Sequence, residues 1–477
     1  MSLVGLLLAI PSAAALVLAL VPDWRLAARL NVGASAASFL MVLAVVRDPP
    51  AAGPLVLIDG LNSIVLVLNG FVVFTTSLFS ARYVVHEAAT GRLPPLRLRL
   101  YHALYQVLAF AMTLALVTNN LGVMWVAIEI ATLTTVVVVG LYRTHEAIEA
   151  AWKYFMLGSV GIALALFGTI LVYVAAQPVV GEGQDGMIWS VLVGKVAAFD
   201  PGLINLAFVF LLLGYGTKVG LTPLNAWLPD AHAEGPTPVS AVLSGLLLNV
   251  ALYAVLRVKM LVAAHPDALA PGPLLMAAGL ASLLLAGVML YRRRDIKRLF
   301  AYSSIEHMGL MVFAFGIGGP IANFAGLLHM AMHALTKSAI YFAVGAAAQA
   351  KGSQRLSDIT GLTQSHPALG WALVAAVAAI MGMPPAGVFM SEFLLVTSTF
   401  ARMPALGVAL AVSLLLGFGA LAGKLAGIAF GTPSPDAGPV KVAYGPIFAH
   451  LALVFVAGVW LPPAIADALR QAAAALG

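Results

Sequence analysis

Apolar segments long enough to cross a lipid bilayer recur along the whole chain. Each is a window of about 20 residues, the length a helix needs to cover about 30 Å of hydrocarbon. The polar connections between them are too short to form a soluble domain. The pattern therefore predicts an all-α integral membrane protein with about fourteen transmembrane helices, at residues 3–21, 28–46, 55–79, 101–118, 121–141, 153–176, 202–220, 237–257, 272–291, 299–318, 321–348, 368–398, 404–430 and 446–463.

Two of the predicted helices contain glycine and proline breaks next to an ionisable residue. In the seventh helix Lys218 precedes the break at 220–223, and in the twelfth helix the break at 382–385 precedes Glu392. Glycine and proline leave backbone groups free, which a membrane tolerates only where protein or water satisfies them. A break beside a charge in each half of the chain is typical of inverted repeats around an ion path.

This pattern predicts one membrane domain, 1–477, with an internal repeat of five helices. The predicted parts are three N-terminal helices within 1–100, a first repeat of helices four to eight at 101–257, a second repeat of helices nine to thirteen at 272–430, and a C-terminal helix within 446–477.

The composition agrees with a membrane protein and excludes several kinds of chemistry. Hydrophobic residues make up 62% of the chain and charged residues only 9%, whereas soluble domains carry about a quarter charged residues. The chain has no cysteine, which excludes thiolate-bound iron–sulfur clusters and zinc, disulfides and a cysteine nucleophile. We therefore expect no cofactor in this chain and place any redox chemistry on a partner.

The positive charge is unevenly distributed between the loops. The formal net charge is +6, and most lysines and arginines follow odd-numbered spans, including a cluster of Arg292, Arg293, Arg294, Lys297 and Arg298. Loops after even-numbered spans hold few, namely Arg47, Lys195, Arg257, Lys259 and Arg402. By the positive-inside rule the odd loops face the cytoplasm, so the sequence predicts a multi-pass protein of the inner (cytoplasmic) membrane with both termini outside and no nucleic-acid contact.

A few ionisable residues lie inside predicted spans, where an unpaired charge costs several kcal/mol. They are Glu129, Lys218, Glu306, His307, His329, His333, Lys337 and Glu392. His329, His333 and Lys337 recur at i, i+4 and i+8, so they share one helix face that must look into the bundle. Such a stripe suits proton transfer through ordered water.

Structural roles compete with functional ones at several of these positions. Glu129 and Lys218 could form a buried structural ion pair, and Glu306 could be a helix-end residue paired with the nearby arginines. We favour a helix cap for Asp59 and a snorkelling side chain for Lys424. The sequence predicts no metal site, since no cluster of carboxylates supports one.

Three sequence motifs resemble those of one family. GTKVGLTPLNAWLPDAHAEGPTPVSAVLSG, DIKRLFAYSSIEHMG and GLLHMAMHALTKSAIYF are similar to signatures of the proton-conducting, antiporter-like membrane subunits. These subunits occur in respiratory complex I, multisubunit sodium/proton antiporters and energy-converting hydrogenases. Segments such as YRTHEAIEAAWKYFMLGSVGIALALFGT look most like the F component of the hydrogenase-4 type, akin to formate hydrogenlyase.

The resemblance implies roles for the intramembrane residues. It pairs the glutamate of the fifth helix, Glu129, with the lysine of the seventh, Lys218. It implies proton transfer along His329, His333 and Lys337, with Glu392 as the terminal carrier. Glu306 is a further candidate for proton transfer because of its place inside a predicted span. Asn249 stands where some relatives carry a lysine, so the central path needs water or another route. Asn249 and His307 are candidate relay positions.

The expected function is a proton-translocating, non-catalytic subunit of a redox-driven complex of the hydrogenase or quinone-reductase type. Its expected partners are the other membrane and redox subunits of that complex and the lipid bilayer. The alternatives that stay open are a subunit of a cation/proton antiporter and the membrane half of an inorganic-carbon uptake complex with a soluble zinc protein.

Overall fold

The computed structural model describes residues 2–477, and in that range the chain is helical with no β-strand beyond three isolated bridges. The all-α prediction is confirmed. The α-helices are α1 (Leu3–Leu20), α2 (Trp24–Arg47), α3 (Gly60–Ala89), α4 (Pro95–Val117), α5 (Leu121–Val139), α6 (His145–Val180), α7 (Trp189–Lys195), α8 (Pro201–Val219), α9 (Trp227–Glu234), α10 (Thr237–Val242), α11 (Leu248–Ala263), α12 (Pro271–Tyr291), α13 (Ile296–Ile317), α14 (Gly319–Lys351), α15 (Leu362–Ser365), α16 (Pro367–Ile380), α17 (Gly387–Arg402), α18 (Pro404–Phe430), α19 (Tyr444–Val459) and α20 (Pro463–Ala475).

Each of the fourteen predicted segments overlaps a helix or a pair of helices, but not all of them are uniformly apolar. Within residues 2–477, eleven helices are long and apolar enough to cross a membrane, or up to twelve if the bent pair α19 and α20 forms one span. The eleventh predicted segment is α14, whose histidines and lysine lower its mean hydropathy. The twelfth is divided into α16 and α17, of 14 and 16 residues.

Both predicted helix breaks are present. Helix α8 ends at Val219, and the next residue, Gly220, has the left-handed backbone (φ +84°) common just after a helix. The amide of Leu221 donates to the Gly216 carbonyl at 2.9 Å, so the helix end is capped by its own backbone. In the second break Gly382 also has a positive φ, of +69°, between α16 and α17.

The helices differ strongly in how much protein surrounds them. An 18-residue stretch of the span from Thr237 to Ala263 is entirely buried and α13 is almost so, whereas less than a third of α1 and of α2 is buried. Helices α10, α11, α13 and α14 therefore form the centre of the bundle. Polar residues on α13 and α14 face protein rather than lipid.

Helices α12 and α13 pack at backbone distance through paired glycines. A Cβ on Gly279 would lie 2.6 Å from the carbonyl oxygen of Gly309, and a Cβ on Gly309 would lie 2.6 Å from that of Gly279. Two turns further along, a Cβ on Gly272 would lie 2.7 Å from the carbonyl oxygen of Gly316, and a Cβ on Gly316 would lie 2.9 Å from that of Gly272. We call these four residues the glycine seam; any side chain there would overlap the neighbouring backbone.

Asp59 caps α3, as predicted, and also forms an ion pair. Its carboxylate accepts from the amides of Leu61 and Asn62, and the Asn62 side chain accepts from the Asp59 amide at 2.8 Å, which completes a capping box. The second Asp59 oxygen lies 2.7 Å from Nη1 of Arg257. The prediction that Arg257 and Lys259 lie in a loop is wrong, because α11 continues to Ala263 and buries both.

Candidate functional site

Lys218 lies at the end of α8, immediately before the first helix break. Its side chain is buried, with 2% of the residue exposed. Nζ of Lys218 has no hydrogen-bond partner among residues 2–477, and neither does Oε2 of Glu129. The two groups are separated by more than 4.0 Å, although their charges interact. The alternative of a closed structural ion pair is therefore not what the structure contains.

An aromatic pocket and a glycine surround the Lys218 ammonium. Nζ lies 5.9 Å from the centre of the Tyr154 ring, within cation–π range. Tyr154 stacks on Trp227 at 4.1 Å, and the Trp227 indole donates to the Thr217 carbonyl at 2.9 Å. The chain after the break thus folds back over the end of α8. A Cβ on Gly158 of α6 would lie 2.9 Å from Nζ, so glycine leaves the space that the ammonium occupies.

A second cluster joins α13, α14 and α17 through two histidines. Nδ1 of His307 lies 3.0 Å from Nε2 of His329, and Nδ1 of His329 lies 2.9 Å from Oγ of Ser391. The Ser391 hydroxyl donates to the Val388 carbonyl at 2.8 Å, so it accepts the N–H of His329. The Nε2 of His329 is then an acceptor, and His307 is the donor between the two rings.

The polar stripe of α14 continues from this histidine pair. The ring of His333 lies 5.7 Å from that of His307 and 6.4 Å from that of His329. Neither of its nitrogens has a hydrogen-bond partner in the described chain. Lys337 donates to the Phe300 carbonyl at 3.0 Å, and its charge interacts with Glu306. The stripe faces the interior, as its spacing predicts.

Two carboxylates lie at the other side of the histidine pair. Glu306 is buried in the middle of α13, so it is not the arginine-paired helix-end residue of the alternative interpretation. Oε1 of Glu392 lies 3.9 Å from Nδ1 of His307. A cavity of about 150 Å³ is bounded by these three side chains and by apolar residues of α16 and α18. A Cβ on Gly417 would overlap the Glu306 carboxylate, so that glycine makes room for it.

Asn249 connects the central helices just after an irregular turn. Residues Leu243–Leu247 form a π-helical turn between α10 and α11, a feature often found at functional sites. The Asn249 amide donates to the carbonyls of Gly245 at 2.9 Å and Met330 at 3.2 Å. Asn249 therefore contacts α14 one residue from His329, which places it near the histidine pair.

Comparison with known proteins gives the family. Residues 118–417 match the family described as "NADH:quinone oxidoreductase/Mrp antiporter, TM". The "Hydrogenase-4 component F homolog" of Methylacidiphilum infernorum (isolate V4) is 56% identical over 454 residues, which is 95% of each chain. The chain belongs to this family of antiporter-like membrane subunits.

Solved structures agree with the antiporter-like fold. A chain of the archaeal membrane-bound sulfane sulfur reductase superposes with a TM-score of 0.87 at 21% identity, covering 99% of this chain and 97% of that one. A chain of respiratory complex I from Thermus thermophilus superposes with a TM-score of 0.75 at 25% identity, covering 96% and 95%. Both neighbours are subunits of multisubunit membrane complexes.

Two further buried basic side chains of this antiporter-like subunit, besides Arg257 and Lys259, escape the sequence-based predictions. His232 is fully buried, stacks on Tyr341 at 5.0 Å, and has no hydrogen-bond partner for either ring nitrogen within residues 2–477. Lys297, assigned to the loop cluster, is buried in α13 and donates to the carbonyls of Ala233 and Gly235 at 2.8 and 2.6 Å. His232 lies in the HAEGPTP part of the first motif, and a histidine within that motif is the sequence feature that could have identified it.

Proposed function

We propose that this chain is the proton-translocating membrane subunit of a redox-driven complex of the hydrogenase-4 or complex I type. The observation that carries the proposal is the set of buried, incompletely paired ionisable groups beside two helix breaks. Burying so many such groups costs stability, and proton transfer is a function that requires groups of this kind. The chain would have no catalytic reaction of its own.

In the proposed mechanism the distance between Glu129 and Lys218 controls the lysine's proton. Glu129 near the ammonium favours the charged lysine, because opposite charges attract strongly in a poorly solvated site. Moving the two groups apart favours release of that proton towards the centre of the bundle. A redox step in a neighbouring subunit would supply the movement, so this chain acts as a transducer.

The proton would then pass through the second cluster. Lys337, His333 and His329 provide the path along α14, and His307 accepts and donates at its end. Glu306 and Glu392 complete the path to the far side. Asn249 supplies an amide rather than a titratable group, so we propose that water carries the proton past it. The two broken helices would occupy corresponding positions in two five-helix repeats, 101–257 and 272–430.

The proposed partners and membrane follow from the relatives and the loop charges. A relative with 56% identity is named as a hydrogenase-4 component, so we infer membrane and redox subunits of a hydrogenase-type complex. The concentration of lysine and arginine in odd loops supports the cytoplasmic membrane with both termini outside. A cation/proton antiporter subunit is the second candidate, because the family includes Mrp antiporters.

Gentle extraction of the tagged chain, followed by mass spectrometry of what co-purifies, tests the proposed complex. We expect nickel–iron hydrogenase or NADH-module subunits together with iron–sulfur proteins. Recovery of antiporter subunits alone would favour sodium/proton exchange. Recovery of one large soluble zinc protein would instead favour carbon uptake. Either of these outcomes would contradict the redox-driven assignment.

Gly158→Ala tests whether the position of the Lys218 ammonium matters. The added methyl group would meet Nζ at 2.9 Å and displace it from the pocket near Tyr154. We expect redox-driven proton transport to fall roughly tenfold, equivalent to about 1.4 kcal/mol in the barrier. Proton uptake into membrane vesicles containing the complex is the measurement.

Gly423→Ala is the matched control for Gly158→Ala. Gly423 also lies in a helix, but a Cβ there has no atom within 4 Å, so this variant should transport protons at the wild-type rate. Equal transport by the Gly158 and Gly423 variants would show that the ammonium position is unimportant.

A further inference from the structure

Three metal-ligating side chains from three helices converge at the end of the histidine cluster. One ligand atom from each of His307, His329 and Glu392 lies within 4.8 Å of the other two. The sequence predicts no metal site, because it shows no cluster of carboxylates; in the structure the three side chains come from α13, α14 and α17. We propose that His307, His329 and Glu392 bind a divalent transition metal ion of the zinc class, and that the bound ion blocks proton transfer.

The separations of the ligand atoms suit such an ion. Zinc binds imidazole nitrogen and carboxylate oxygen at about 2.0–2.2 Å in tetrahedral geometry, which places neighbouring ligand atoms about 3.3–3.5 Å apart. The separation between His307 and His329 is 3.0 Å, and that between His307 and Glu392 is 3.9 Å. The third separation, between His329 and Glu392, is no more than 4.8 Å, so side-chain movements of roughly 0.3 to 1.5 Å would bring the three atoms to zinc distances.

The hydrogen bonds around His329 support its role as a ligand. Its Nδ1–H is donated to Ser391, and this leaves the Nε2 lone pair directed at His307. Metal-binding histidines usually donate their other ring N–H to an outer partner in this way, which fixes the ring. A metal ion would replace the proton that His307 now donates. Two nitrogens and one oxygen suit zinc rather than sodium, magnesium or calcium, which prefer oxygen ligands.

The neighbouring cavity offers charge compensation and room for a fourth ligand. Its volume of about 150 Å³ exceeds the space that one water molecule needs. Glu306 lines the same cavity as Glu392, so two carboxylates would balance a dication. The lysine of the stripe, Lys337, is eight residues from His329, so their Cα atoms are about 12 Å apart along α14, and its ammonium is bound to the Phe300 carbonyl. Its charge interacts with Glu306, which offsets part of the compensation from that carboxylate.

The bound ion would block proton transfer because it would bind the lone pairs that proton transfer uses. Proton exchange between His307 and His329 needs a free nitrogen on one ring and a proton on the other. A bound ion occupies both facing nitrogens and the Glu392 oxygen, so this step stops. The block rests on the proposed proton-transfer function, whereas metal binding itself does not.

Cobalt binding to the full-length chain, purified in detergent, tests the site directly. Co²⁺ in a four-coordinate site gives visible absorption bands, and we expect one Co²⁺ per chain that Zn²⁺ displaces. Because each variant removes one ligand, His329→Gln and Glu392→Gln should each weaken Co²⁺ binding at least about tenfold. Thermal melting and size-exclusion chromatography would verify that both variants are folded.

His102→Gln is the matched control. His102 is a buried histidine of α4, and neither of its ring nitrogens has a hydrogen-bond partner in the described range. This variant should bind Co²⁺ like the wild type. Lack of four-coordinate Co²⁺ in the wild-type chain, or equal binding by the wild type and both ligand variants, would overturn the metal site.

Zn²⁺ inhibition of proton transport by the assembled complex tests the second half of the proposal. Zinc should inhibit wild-type vesicles, and removal of zinc by EDTA should restore transport. Binding without inhibition would overturn the block and count against the proposed relay, while the metal site would stand. Loss of transport in Lys218→Ala combined with unchanged cobalt binding would support both assignments separately.

Discussion

Replacing Lys218 with alanine should reduce redox-driven proton transport by the assembled complex roughly 100-fold, the lower end of what a positioned proton-transfer group contributes. The variant removes the lysine whose charge interacts with that of Glu129. Stability should change little or rise, because an ammonium without a hydrogen-bond partner among residues 2–477 no longer has to be buried. Proton uptake into vesicles, driven by the partner's redox reaction, is the measurement.

Lys424→Ala is the control for that experiment. Lys424 is another lysine within a long apolar helix, α18, but it is only partly buried, and we expect its side chain to reach the membrane surface. Its removal should leave transport near the wild-type rate. Complex assembly, verified by native gel electrophoresis, must be equal in both variants. Wild-type transport by Lys218→Ala would refute the electrostatic mechanism at its starting point.

Replacing Asp59 with alanine should destabilise the chain by about 3 kcal/mol, the lower end of the cost of removing one partner of a buried ion pair, because Arg257 is buried but the Asp59 side chain is 31% exposed. Arg257 is buried, and its guanidinium lies over the Trp189 ring at 4.4 Å. Without Asp59 that charge loses its carboxylate partner, and α3 also loses its cap. Thermal unfolding of the purified chain in detergent, monitored by circular dichroism, is the measurement.

Asp200→Ala separates the capping contribution from that of the ion pair. Asp200 caps α8 by accepting from the Leu203 amide at 2.8 Å, and it is exposed. Loss of this cap alone should cost about 1 kcal/mol. Asp59→Asn adds a second comparison, because it keeps a capping oxygen but removes the charge. Similar losses of stability in the Asp59 and Asp200 alanine variants would mean that the ion pair with Arg257 adds nothing to the stability of the chain.

The sequence predicts the features that depend on local pattern. The apolar windows locate the long helices of the bundle, the glycine and proline residues locate both breaks, and the i, i+4, i+8 spacing of His329, His333 and Lys337 gives the buried face of α14. Each of these signals lies within one helix or one turn. The motifs add the family, and the resemblance implies the pairing of Glu129 on α5 with Lys218 on α8, which stays a prediction.

A single sequence does not predict contacts between residues that are far apart along the chain. The histidine pair joins residues 22 positions apart, and Ser391 is a further 62 positions from His329. Their meeting depends on how α17 starts after its break, which no local pattern specifies. The sequence also does not predict the burial of Arg257 and Lys297, because their partners lie on other segments of the chain. A helix can extend past its apolar window when carbonyls or a carboxylate satisfy the cation.

The glycine seam determines which parts of the second cluster can change position. Sliding α13 along α12 by one residue would put a side chain where only a hydrogen atom fits. The two helices therefore behave as one rigid body, and Glu306 and His307 are fixed points on it. A conformational signal that reaches this half of the protein must act by moving α14 or α17 against that body. Such a movement would change the distances from His307 to His329 and to Glu392.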